Sequence, residues 1–139
     1  MNSRLFTPAV ALILIAGLAS CMPTREEKKV LITSGTVNIG LASAYPADTA
    51  STRFVDIYGI VIVNSSGDPL AILPKCSHAG AMAKWVENHH EFVCEGDGSH
   101  YDIIGRVVEG PAKKPLPALR AEKQPDGTLT VNLTKLYGM

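Results

Sequence analysis

The chain has 139 residues, with 13 Lys plus Arg balanced by 13 Asp plus Glu, and three cysteines. That length holds one domain with appendages. A formal net charge of zero, with no basic stripe or basic helix, excludes a nucleic-acid binder.

The first element is an export signal over 1–20. Arg4 supplies the positive start, Pro8 to Leu18 form an apolar run, and Ala19-Ser20 precede Cys21. The run is shorter than the ~20 residues a spanning helix needs. Leu18-Ala19-Ser20-Cys21 resembles a bacterial lipobox, so Cys21 is expected to carry lipid and become the mature N-terminus; an uncleaved anchor helix is the alternative. Residues 21–34 then form a lipidated N-terminus and polar tether, and 35–139 form the domain.

The segments after the tether are short and rich in β-formers. Strands are expected at Val30–Thr33, Thr36–Ile39, Thr52–Tyr58 and Ile60–Asn64, the last two separated by Gly59. Ala42–Ala50 is ambiguous, and Pro46 argues for a loop. Ser65 to Pro69 is turn chemistry before a strand at Leu70–Leu73. Ala83–Val86 and Glu91–Val93 flank Glu87-Asn88-His89-His90, which reads as an exposed hairpin turn. Gly105–Val108 returns a strand. Gly110–Pro117 is too rich in proline for a helix or a central strand. Leu119–Lys123 and Thr128–Leu133 form a last hairpin around Pro125-Asp126-Gly127. No run of helical period reaches ten residues after Met22. The expected fold is all-β, a small antiparallel sandwich or barrel.

Two stretches carry the chemistry: Cys76-Ser77-His78-Ala79-Gly80, and Cys94-Glu95-Gly96-Asp97-Gly98-Ser99-His100-Tyr101-Asp102. A Cys-x-His followed by a second Cys-initiated, glycine-rich loop is the layout of a two-loop iron–sulfur site. The same residues support two plainer readings. With Cys21 lipidated, Cys76 and Cys94 are the remaining pair, and in an exported protein such a pair commonly forms a disulfide. Alternatively, Cys76, His78, Cys94 and either Asp97 or His100 would suit one tetrahedral zinc. His89 and His90 are weaker ligand candidates. There is no recognisable Ser/His/Asp arrangement, phosphate loop or His-x-x-x-His helix.

Over roughly Gly35 to Leu133 the chain resembles a Rieske iron–sulfur domain of the quinol–cytochrome c oxidoreductase branch. The resemblance rests on Lys75-Cys76-Ser77-His78-Ala79-Gly80 with Trp85, and on Phe92-Val93-Cys94. It continues through Gly98-Ser99-His100-Tyr101-Asp102, Gly105-Arg106-Val107-Val108, Gly110-Pro111-Ala112 and Leu116. It implies two hairpin loops around a 2Fe-2S cluster, with Cys76 and Cys94 on the buried iron and His78 as the first-loop imidazole. Ser99 would bond an inorganic sulfide and Tyr101 a cysteine sulfur, both raising the reduction potential. His100 follows the serine in that branch without being a ligand.

The chain departs from the branch in the second loop. Cys94-Glu95-Gly96-Asp97 stands where the branch has Cys-Pro-Cys-His, and Ala81 stands where it has a further cysteine. The disulfide that ties the loops in that branch is therefore absent as a pair, and Asp97 takes the place of the second imidazole. A carboxylate can ligate iron. Its extra charge, at ~4 Å and an effective dielectric near 20, opposes reduction by about 4 kcal/mol. That is on the order of 0.1–0.2 V downward for one electron. Branch members dock quinol on the missing histidine, so quinol oxidation is the branch activity this departure puts most in question. Exported branch members commonly carry a twin-arginine signal, whereas this N-terminus has a single Arg4.

The lipobox and the resemblance together imply a lipid-anchored, exported electron carrier, a component of an oxidoreductase rather than a free-standing catalyst; the alternative is a cluster-less Rieske-fold lipoprotein, Cys76 and Cys94 joined as a disulfide, with a structural or binding role. Its expected partners are redox proteins and, through Cys21, the membrane. The proline loop Gly110–Pro117 is expected to cover the site.

Overall fold

The structure, a computed structural model, describes residues 32–137. In chain order its elements are β1 (Thr36–Leu41), β2 (Thr49–Ser51), α1 (Val55–Tyr58), β3 (Val61–Asn64), β4 (Leu70–Ile72), β5 (Ala83–Val86), β6 (Glu91–Cys94), β7 (His100–Asp102), β8 (Val107–Glu109), β9 (Ala118–Arg120), β10 (Glu122–Lys123), β11 (Thr128–Asn132) and α2 (Leu133–Tyr137). The strands make three antiparallel sheets, ordered β1-β11-β10, β2-β3-β4-β9 and β5-β6-β7-β8. The architecture is all-β, as the strand-rich sequence predicts.

Strand β3 explains how the sheets are layered. All four of its residues are buried, and alternate side chains of a strand point to opposite faces. Ile62, with Ile60 just before the strand, packs into a core with Ile39, Leu129 and Val131. Val61 and Val63 pack into a second core with Phe92, Tyr101, Cys76 and Cys94. The middle sheet is therefore a wall shared by two cores. A strand covered on both faces needs a continuous apolar run, and Ile60-Val61-Ile62-Val63 supplies one.

The third sheet carries the chemistry. Its register pairs Ala83 with Cys94, Trp85 with Phe92, and Phe92 with Tyr101. Those residues face the second core, and Phe92 and Tyr101 are fully buried. Burying a side chain of that size contributes roughly 1.5–3 kcal/mol, and the Trp85 and Phe92 rings add an edge contact at 5.0 Å. The other face presents Lys84, Glu91, Val93 and His100 outward.

Several expected elements differ. Thr52–Tyr58 is not a strand: β2 ends at Ser51, and Val55–Tyr58 is one turn of helix. Phe54 and Tyr58, four residues apart, stack at 5.6 Å between ring centroids, and the Tyr58 N–H bonds the Phe54 carbonyl at 2.8 Å. Gly59, expected to separate two strands, instead ends that turn in a left-handed conformation (φ 69°). Leu119–Lys123 is divided between β9 in the middle sheet and β10 in the first. Leu133 opens α2 rather than ending β11. Ile32 and Thr33 lie outside any strand, while Val30 and Leu31 lie outside the described residues. The hairpin at 87–90 is present, closed by His90 with φ 53°. The signal, lipobox and most of the tether also fall outside the described residues. Among the described residues no helix is long and apolar enough to cross a membrane.

Candidate metal centre

Two loops with the same backbone plan meet at one end of the second core. Cys76 follows β4, held where Lys75 bridges Met82, and Cys94 is the last residue of β6. Each loop closes on its own cysteine: Gly80 N–H bonds the Cys76 carbonyl and Gly98 N–H bonds the Cys94 carbonyl, both at 3.0 Å. Backbone N–H groups two and three residues on also face each sulfur, from His78 and Ala79 toward Cys76 and from Gly96 and Asp97 toward Cys94. Such paired amides form an anion-binding concavity.

Both cysteines are buried and unbridged. Their sulfurs and a carboxylate oxygen of Asp97 all lie within 4.8 Å of one another. Asp97 Oδ2 is 3.3 Å from Cys76 Sγ and 2.8 Å from His78 Nδ1. Two sulfurs and a carboxylate oxygen from the two loops therefore converge, and the His78 imidazole lies against that carboxylate. His100 does not join them. It points to the opposite face of its sheet, where its Nδ1 pairs with Glu91 at 3.1 Å. His89 and His90 are exposed at the far hairpin, His89 also pairing with Glu91 at 3.1 Å.

The electrostatics favour anions at this point. Asp97 is held well below the usual carboxylate range, first by the Ser99 hydroxyl and then by the Ser99 N–H, which donates to Oδ1 at 2.8 Å. Burial pushes the Cys76 thiol up, but hydrogen bonds from the Tyr101 hydroxyl and the Ala79 N–H outweigh it and leave the thiol below its ordinary value. Burial, and then donation toward Cys76, push Cys94 the other way. Tyr101 donates to Cys76 Sγ at 3.1 Å, and its own pKa is pushed up to about 12 by burial and by that contact.

Ser99 is fully buried, and its Oγ accepts the Ala112 N–H at 3.1 Å. It thereby ties the proline loop to the second ligand loop. Gly110 makes this approach feasible: a Cβ there would lie 2.6 Å from Ser99 Cα, and its φ is +104°. Ala81 and Gly96 face each other across the two loops, with a Cβ built on Gly96 only 2.8 Å from that of Ala81.

The Rieske [2Fe-2S] domain matches residues 36–120. The chain belongs to the Rieske family. Curated Rieske relatives include the cytochrome b6-f complex iron-sulfur subunit of Prochlorococcus marinus (strain MIT 9515), 35% identical over 71 residues, covering 50% of this chain and 40% of the relative. The chloroplastic subunit of Volvox carteri is 33% identical over 73 residues, covering 52% of this chain and 35% of that one. The chain thus spans less than half the length of either. Among solved structures, the cyanobacterial plasma membrane Rieske protein PetC3 from Synechocystis PCC 6803 aligns with a TM-score of 0.49 and 23% identity, over 68% of this chain and 98% of that one.

Within the Rieske chain the donor set has the right chemistry for iron: two thiol sulfurs on one side, an imidazole and a carboxylate on the other. Sequence spacing alone does not show the Glu91 contacts of His89 and His100. His89, in the 87–90 turn, is only two residues from Glu91, whereas the pairing of β6 with β7 is what brings His100 to the same carboxylate.

Proposed function

We propose that this Rieske protein is a lipid-anchored, exported carrier of single electrons, holding a 2Fe-2S group through Cys76, Cys94, His78 and Asp97. Residues 1–20 would direct export, lipid on Cys21 would hold the protein to the extracytoplasmic face of a membrane, and 35–139 would form the redox domain. The convergence of Cys76, Cys94 and Asp97 within 4.8 Å, with His78 on Asp97, carries this reading. When bound there, the group would accept and release one electron at a time. The chain's own contributions are to keep two sulfurs dry, to set amides and the Tyr101 hydroxyl against them, and to hold Asp97 ionised. Relatives named as iron-sulfur subunits of a cytochrome b6-f complex support redox proteins as partners.

A second reading, a single zinc, draws support from the closeness of Asp97 Oδ2 and Cys76 Sγ, 3.3 Å apart, a spacing typical of two ligands on one ion. Elemental analysis of protein from its native host separates the two. About two irons and two acid-labile sulfides per chain are expected. In that material Asp97→His should raise the potential by on the order of 0.1–0.2 V. Stoichiometric zinc without iron would install the second reading. Colourless, metal-free protein with a Cys76–Cys94 disulfide would overturn both.

A further inference from the structure

Beside Cys76, its loop and the proline loop border a recess of ≈ 380 Å³. Leu73, Pro115 and Pro117 give it an apolar surface, Lys75 and Lys114 supply ammonium groups, and Cys76 forms part of its wall. Among the described residues no carboxylate lines it. Lys113, next in the chain, is exposed as well. None of these three lysines has an ion pair among the described residues, whereas Lys84 pairs with Glu95 and Lys135 with Glu122.

The platform under the lysines is fixed. Ser77 Oγ donates to the Lys114 carbonyl at 2.8 Å. Leu116 N–H bonds the Gly105 carbonyl and Leu73 N–H the Pro117 carbonyl, each at 2.8 Å. Glu91, Asp102, His100 and Glu109 of the third sheet lie on its outward face instead. In a chain of zero net charge, Lys75 and Lys114 thus flank the recess whose wall includes the buried Cys76.

We infer that this recess is a docking surface for an acidic patch on an electron-transfer protein, with Lys75, Lys113 and Lys114 receiving its carboxylates and the prolines receiving an adjoining apolar contact. The inference rests on the proposed redox role for its partner class, but the binding itself needs no metal. Complementary charge of this kind chiefly steers encounter and sets register, and is weakened by salt. The proline loop then both covers the ligand loops and presents a surface outward.

The test uses the full chain, with and without metal, and a short Asp/Glu-rich peptide as probe, followed by amide NMR. Shifts should centre on Lys75, Ser77 and Lys114 and fade as salt is raised. Lys75→Glu/Lys114→Glu should weaken binding roughly tenfold at low ionic strength, and Lys75→Arg/Lys114→Arg should restore it. Shifts centred elsewhere, or unaltered by charge reversal, would overturn the inference. Two control arms use inorganic phosphate and phosphatidylglycerol vesicles, the latter with Cys21→Ser protein. Saturation by phosphate at the peptide's affinity would mean a small-anion site, and Lys75/Lys114-dependent vesicle binding that excludes the peptide would mean a membrane-facing surface; either overturns protein docking. Failure of the metal analysis above would leave these binding results intact, so the two readings fail separately.

Discussion

His78 and Asp97 close the two ligand loops over the sulfur pair, imidazole Nδ1 lying 2.8 Å from carboxylate Oδ2. The imidazole is 56% exposed and the carboxylate 9%, so the pair forms the rim of the site rather than its floor. A few residues away, the loops are in van der Waals contact at Ala81 and Gly96. The loops are therefore joined here by a polar contact and close packing, at positions where the resembling branch uses a covalent bridge.

That arrangement makes Ala81→Cys/Gly96→Cys a direct probe. The built Cβ separation of 2.8 Å is shorter than the ~3.8 Å of a relaxed disulfide, so the loops must part by about 1 Å. The double variant is expected to oxidise spontaneously, giving a cross-linked peptide in a non-reducing digest and a stabilisation of up to about 2–4 kcal/mol. If the two introduced thiols stay free after air oxidation, the loop tips do not face each other in solution.

Tyr101 offers a second probe, because its hydroxyl is buried and has Cys76 Sγ at 3.1 Å. Tyr101→Phe keeps the ring and removes one donor to sulfur. The loss of about 1 kcal/mol should appear as a drop of roughly 40 mV in the potential of metal-loaded protein, with a rise in the Cys76 thiol pKa of metal-free protein. Voltammetry showing no change would remove Tyr101 from the site's tuning.

Acid stability tests the outward face of the third sheet. Glu91 is held below its ordinary value of 4.5, first by the hydrogen bond from His100 and further by that from His89. A carboxyl with a depressed folded pKa contributes stability above its unfolded value and loses it as pH falls through the folded one. The urea midpoint of the wild type should therefore decline below about pH 4.5. Glu91→Gln should lower the midpoint at neutral pH and flatten that decline. Parallel pH curves for the two proteins would show that the histidine contacts contribute nothing.

The anchoring proposal rests on a residue outside the described structure. Cys21→Ser should move the protein from the membrane fraction to the soluble one and abolish metabolic labelling with palmitate. Continued membrane association without lipid would favour an anchor helix over a lipobox.

Much of the site was legible from local pattern. Cysteine, histidine and glycine at short spacing mark a ligand loop because each loop folds on its own backbone, as the matching Gly80–Cys76 and Gly98–Cys94 bonds show. The strands at Val61–Asn64, Ala83–Val86 and Glu91–Cys94 were legible for a similar reason, since runs of β-branched and aromatic residues fit a pleated, buried surface. Two features escaped. The turn of helix at Val55–Tyr58 is four residues long and has no period to detect, and β7 lies within a stretch read only as a ligand loop.

The sequence by itself determined the family, the all-β class and the candidate metal-binding residues, because these depend on residue type and near-neighbour spacing. Tertiary structure decided which of those residues meet. Ser99 and Tyr101 turn inward while His100 between them turns out, since neighbouring side chains of a strand leave opposite faces. Register across β6 and β7 gave His100 to Glu91, and packing of the proline loop on the first ligand loop brought Lys114 beside Lys75. Contacts between residues distant in the chain follow from burial of two cores against one shared sheet, and no local spacing encodes them.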